Sequence, residues 1–327
     1  MKRFINYHSV FTMACAFLLI FVGALVKSTE SGLAVPDWPT TYGQNMFTFP
    51  LSSMVGGIFY EHSHRLLASF VGLCILILTV FIYLSDYPKY IKYISFSTLC
   101  AVLIQGILGG LTVLYFLPTW ISVCHGTLGQ TTFCLTIILA TITSQYWNKL
   151  KINKPVKFYR KLSIITTISI WIQLIIGAIV RHTESALVAF DFPKINGKWI
   201  PDFSQSSIDE INAIRFYDSF NLDIDFLPIT LGQLIFHFLH RIWGYGVFLL
   251  ILYFIIKIYP KLKKYNILKF SLITSFALIT LQILLGALTI LSKKDAIVAS
   301  LHVTNGAVIL GIMVYISLIL HRNKFSN

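Results

Sequence analysis

Apolar residues in this chain neither alternate nor keep to one stripe; they run almost unbroken for about 20 residues at a time, the length that crosses a bilayer as a helix. Such runs fall at 9–27, 63–84, 95–116, 121–143, 162–181, 234–257, 269–291 and 297–320. The polar stretches between them are short, apart from 28–60 and 183–233. The pattern predicts an all-α polytopic membrane protein with eight transmembrane helices and both termini on one face. The first run is read as a retained helix, because Lys27, Ser28, Thr29 and Glu30 follow it where a signal peptide would carry a small-residue cleavage site.

Charge then orients the helices. Lys2 and Arg3, Lys89 and Lys92, a group from Lys149 through Lys151, Lys154, Lys157 and Arg160 to Lys161, a group from Lys257 through Lys261, Lys263 and Lys264 to Lys269, and finally Arg322 and Lys324 share one face. Segment 28–60 has no cation, and 183–233 is net acidic. The positive-inside bias puts the N- and C-termini in the cytoplasm of a bacterial cell, with the long segments outside its cytoplasmic (inner) membrane. Composition agrees, with 56% hydrophobic and 12% charged residues. The excess of 26 Lys and Arg over 13 Asp and Glu is therefore topological, and no nucleic-acid partner is expected. Five cysteines lie in or beside apolar runs without CxxC spacing and argue for neither a disulfide framework nor a zinc site.

The chain also repeats itself. GALVKSTESGLAVPDWP from Gly23 aligns without gaps to GAIVRHTESALVAFDFP from Gly177, with nine identities in seventeen positions. HRLLASFVG from His64 matches HRIWGYGVF from His240, QGILGGLTVL from Gln105 matches QILLGALTIL from Gln282, and CHGTLG from Cys124 matches LHVTNG from Leu301. Two halves follow, 1–150 and 151–327, the second with the enlarged outer loop 183–233. An even number of spans per half predicts two four-helix bundles related by a pseudo-twofold axis along the membrane normal.

The repeat sorts the nine histidines. His64, His125, His240 and His302 all begin helices that run inward from the outer face, so they share one depth, as one pair per half. Ionisable groups at such depth mark function by default, and facing imidazoles on separate helices suit axial ligation of a haem iron. Arg65 and Arg241 follow two of these histidines and serve either haem propionates or the membrane interface. Gly106, Gly109, Gly110, Gly126, Gly129, Gly286 and Gly306 make room for a flat macrocycle or for close helix packing. Glu61, one turn before His64, has His237 as its counterpart before His240, so only the first half has a carboxylate for acid–base chemistry. His62 is not expected to ligate, His8 and His321 are expected in solvated tails, and His182 at the interface. Glu30, Asp37, Glu184 and Asp191 recur in register and are expected to accept hydrogen bonds from loop amides, with the loops folded over the two pockets.

These motifs, GALVKSTESGLAVPDWP, EHSHR, HGTLGQ, and HR with HVTNG in the second half, resemble the haem A synthases over essentially the whole chain. The resemblance implies an oxidoreductase that converts the C8 methyl of haem O to the formyl group of haem A for cytochrome oxidase assembly. It implies a haem b held by His240 and His302, haem O as substrate (and haem A as product) at His64 and His125, and a Glu61 important for activity. Implied partners are the lipid bilayer, haem O, the farnesyltransferase (haem O synthase) that makes it, and cytochrome oxidase assembly factors, with a homo-oligomer open. Many relatives carry a cysteine pair in the first outer loop; residues 28–60 here contain none, so a mechanism using that pair does not apply. Two other classes fit parts of the pattern: a di-haem b-type membrane cytochrome or quinol oxidoreductase that leaves haem unmodified, and a parallel-repeat transporter with histidine proton or metal sites.

Overall fold

The computed structural model describes residues 1–150, 158–222, 228–262 and 265–322; Lys151, Lys154, Lys157, Asp223, Asp225, Lys263, Lys264 and Lys324, used in the charge reading, lie outside them. The described chain is all-helical, with eight helices long and apolar enough to cross a membrane. They are α1 (Lys2–Ser28), α2 (Gly57–Tyr83), α3 (Lys89–Leu114), α4 (Thr119–Ile142), α5 (Arg160–His182), α6 (Leu231–Ile258), α7 (Asn266–Leu291) and α8 (Ala296–His321).

Proline and side-chain caps set several helix starts. Pro88 and Pro118 precede α3 and α4, Thr230 and Gln233 form a capping box on α6, and the Asp295 carboxylate accepts from the Ile297 and Val298 amides of α8. Helices α1 and α2 begin some turns earlier than the apolar runs, because their polar residues find partners inside the bundle. His8 is one of these. It is not in a solvated tail: it lies in α1 and donates from Nε2 to the Cys74 carbonyl at 2.8 Å. His321 likewise closes α8, donating from Nδ1 to Ser317 O.

Helix α1 packs on α2 and α4, and α3 on the same two; α5 packs on α6 and α8, and α7 on the same two. The junction between the two sets is made by α1 and α4 against α5 and α8. Its outer end is polar: Arg181 donates to Ala24 O at 2.6 Å and Ser28 Oγ at 2.9 Å, and Lys27 pairs with Glu184 at 2.7 Å. Lys294 also pairs with Glu184, at 2.6 Å. Burial alone would raise the Glu184 carboxyl, but the two ammonium groups outweigh it and hold it below the usual carboxylate range.

An apolar cleft of about 530 Å³ opens in this junction between Val10, Met13, Ile137, Ile312 and Tyr315. Ile137 lies twelve residues beyond His125 on α4, about 18 Å along the axis. The cleft is therefore separate from the histidine level.

Candidate functional site

The four histidines occupy one repeated seat. Each imidazole lies against a glycine of the helix before it, so that a Cβ there would stand 2.9 Å from Cε1 of His64 (Gly23) and 3.1 Å from Cε1 of His125 (Gly109), His240 (Gly177) and His302 (Gly286). A larger residue at any of the four would push the ring out of place. Gly109 and Gly286 were candidates by sequence; Gly23 and Gly177 were not, although each opens its copy of the longest repeat.

The rings of His240 and His302 stand edge to face with centroids 6.3 Å apart and planes at 71°. Metal–imidazole bonds run at about 2.0–2.1 Å, and the ring centre lies roughly 1.1–1.2 Å behind the nitrogen, so two imidazoles sharing one metal would have centroids up to about 6.2–6.6 Å apart, and this separation would leave room for one metal ion. His64 and His125 occupy the matching seats in the first half. Among the described residues no group of three or more His, Cys, Asp or Glu side chains gathers to hold a metal. A pair of imidazoles without further protein ligands would suit a metal that brings its other ligands with it, as porphyrin iron does. The residues fit a haem.

Above each pair the outer chain folds into a strap. Thr41–Gln44 and Ile195–Lys198 are paired across two-residue turns, Tyr42-Gly43 and Asn196-Gly197, whose positive φ values match a type I′ turn. The Asp37 carboxylate accepts from the Tyr42 and Gly43 amides at 2.8 Å and from the Thr40 hydroxyl; Asp191 accepts from the Asn196 and Gly197 amides at 2.7 and 2.8 Å. The expected loop-amide role therefore holds for the two aspartates. It fails for the glutamates, since Glu30 pairs with Lys27 and Glu184 with Lys27 and Lys294, which stand nearer than any loop amide. The straps do fold inward: the Trp38 indole lies so close over Gly110 that a Cβ there would be 2.5 Å from it.

The arginines hold the straps down. Arg65 donates to the carbonyls of Val35, Asp37 and Thr40 at 2.7–3.1 Å and to Glu61 at 2.6 Å. Arg241 donates to Asp191, Pro193 and Lys194 carbonyls, and its Nε is buried without a partner. Both are only 9% exposed, so neither snorkels to the interface. Glu61, 3% exposed, also accepts from the Val35 amide at 2.7 Å, and its counterpart His237 donates from Nδ1 to Ser185 O at 2.9 Å. His62 is buried at 3.0 Å from the Thr41 hydroxyl, a second strap contact; His182 ends α5, half-buried. The second strap carries an addition, the outer helix Gln205–Leu222, whose Ile208 and Ile211 pack with Val188, Ile195, Leu234 and Phe238.

The Asp37 carboxyl is raised by its partial burial but lowered more by the hydrogen bonds it accepts, and it sits below the ordinary carboxylate range. A depressed folded pKa gives stability present above the unfolded value, about 3.9, and lost as pH falls through the lower folded value. Amide protection factors in 37–44, corrected for intrinsic exchange, are therefore expected to hold from neutral pH down past pH 4 and to fall only below that. Asp37→Asn should abolish this acid step.

The profile of the COX15-CtaA family, described as cytochrome oxidase assembly protein, matches residues 6–314. Among similar proteins, the heme A synthase of Shouchella clausii is 28% identical over 204 residues, 61% of this chain and 66%, just under two thirds, of that protein. The heme A synthase of Halalkalibacterium halodurans is 24% identical over 330 residues, 99% of each chain, and that of Pelagibacter ubique 26% over 321 residues, 87% of each.

Proposed function

This chain belongs to the COX15-CtaA family of cytochrome oxidase assembly proteins, and from that premise we propose that it is a haem A synthase, oxidising the C8 methyl of haem O to the formyl group of haem A. It works as a multi-pass protein of a bacterial cytoplasmic membrane, termini inside and both histidine pairs toward the outer face. Residues 1–150 and 151–327 act as pseudo-twofold-related four-helix halves. The second binds haem b between His240 and His302; the first takes haem O between His64 and His125. The observation that carries this reading is the 6.3 Å separation of the His240 and His302 rings, which would admit a haem iron, in seats repeated at the other two histidines.

Two differences between the halves support the assignment. The outer helix Gln205–Leu222 packs over the second strap and the first has no counterpart, which suits a resident group below and an exchanging one opposite. A carboxylate, Glu61, stands one turn before His64 in the first half, where the second half has His237 before His240.

A methyl group has no useful acidity, so bound haem supplies the oxidising chemistry, and this chain supplies placement and a proton acceptor. Glu61, three residues before His64, fills that second role, and its bonds to Arg65 and the Val35 amide fix the carboxylate in a buried place. Arg65 and Arg241 hold the straps over the porphyrin edges, and the buried, unpartnered Arg241 Nε is a donor available to a propionate. Haem O reaches the site from the farnesyltransferase that makes it.

Expression with haem extraction and mass analysis tests the reading. Wild type is expected to accumulate haem A, and Glu61→Gln to keep haem binding while slowing its formation by about 100-fold or more. An unchanged yield removes Glu61 from the reaction. Two bound b haems and no haem A would instead support the di-haem cytochrome.

A further inference from the structure

Resting on the reading that each histidine pair binds haem, we propose that Gln105, Gln173 and Gln282 are positioning residues that lock three of the four imidazoles, and that Leu19, standing where the fourth glutamine would be, makes His64 the exchangeable ligand.

Each glutamine lies one turn before a glycine seat, at Gln105/Gly109, Gln173/Gly177 and Gln282/Gly286, and so shares its helix face. Its Nε2 donates to the backbone carbonyl of the seated histidine, at 2.7 Å for His125, 2.9 Å for His240 and 3.0 Å for His302. The same nitrogen stands 3.2 Å from Nδ1 of His125, 3.1 Å from Nδ1 of His240 and 3.4 Å from Nε2 of His302. The amide needs room, and a second glycine provides it, four residues after each histidine. A Cβ at Gly129, Gly244 or Gly306 would be 3.2, 3.2 or 3.4 Å from that Nε2.

At His64 both parts of this device change together. The position before Gly23 is Leu19, and the position four after His64 is Ala68. Among the described residues no hydrogen bond reaches either nitrogen of the His64 ring, whereas His302, whose Nδ1 is likewise buried without a partner, has Gln282 Nε2 at 3.4 Å from its other ring nitrogen and bonded to its backbone carbonyl. A ligating imidazole is oriented by whatever holds its other nitrogen, and losing that partner typically costs about 10–100-fold in affinity. The Oε1 atoms of Gln105 and Gln173 are buried with nothing bonded to them, and turning the carboxamide over would bring that acceptor to a ring N–H in exchange for the bond to the histidine carbonyl. The second half thus has two locked ligands. The first has one locked ligand, His125, and one held by packing alone, which is the arrangement a site needs if its porphyrin must leave after each turnover.

Detergent-purified full-length protein loaded with hemin and mixed with excess apomyoglobin is expected to release haem in two phases, the fast one absent in His64→Ala. Leu19→Gln with Ala68→Gly should slow the fast phase by about 10–100-fold, and the reciprocal Gln173→Leu with Gly244→Ala should speed the slow phase by a similar factor. The reciprocal pair should also shift the midpoint potential of the second site, which a purely structural side chain would leave alone. Unchanged release in either doubly substituted protein, with its two-haem spectrum intact, overturns the proposal, and either protein suffices if the other fails to accumulate. Wild-type protein that takes up no hemin at all overturns the haem reading itself, a separate result.

Discussion

Protein with His302→Ala is expected to be purified without haem in its second half. On the proposed function the second haem rests on the imidazoles of His240 and His302, and among the described residues no group of three or more potential ligands stands in for them, so removing one leaves a single ligand and an empty seat beside Gly286. Pyridine haemochrome content of hemin-loaded protein should fall from about two per chain toward one, with the low-spin α-band of the second site gone. A stricter version leaves both histidines in place. Gly286→Leu puts a Cβ 3.1 Å from Cε1 of His302 and a branched side chain beyond it, which the close-packed helix pair has no room to accept. It should empty the same site. Full haem content in Gly286→Leu would mean that the glycine seats do not set imidazole position.

The second large effect separates the two arginines. Arg65→Ala strips a buried Glu61 of its guanidinium, and leaving one member of such a pair uncompensated costs about 3–5 kcal/mol. Arg241 has no carboxylate partner; it meets backbone carbonyls and the face of Phe192, so its removal should cost less, about 1–3 kcal/mol. Thermal unfolding in one detergent should rank Arg65→Ala well below Arg241→Ala, and adding Glu61→Ala to Arg65→Ala should recover part of the loss. Equal losses for the two single variants would show that the carboxylate pair adds nothing to the anchoring of the strap.

Much of this was legible in the chain itself, for physical reasons that differ by element. Hydropathy located all eight spans because a bilayer demands long apolar runs whatever the tertiary structure. It placed the starts of α1 and α2 late, since a window ends at polar residues such as His8 and Glu61 that the folded bundle satisfies. The repeat exposed the histidine pairs because symmetry survives where individual side chains diverge. The fate of the arginines was not legible: a guanidinium beside a ligand looks the same whether it meets a propionate or the strap carbonyls that Arg65 reaches. The turn at Asn196-Gly197 had a readable signal in its dipeptide, and the glutamines had one in their fixed spacing to glycine. Neither could be weighed without knowing which helix faces meet.

The outer helix Gln205–Leu222 has an architectural consequence. It lies over the second strap, and the first strap carries no such helix. On the proposed function, traffic of a large planar molecule across the outer rim would then be channelled to a single doorway, so a protein assembled from two near-equal copies would have only one loading dock.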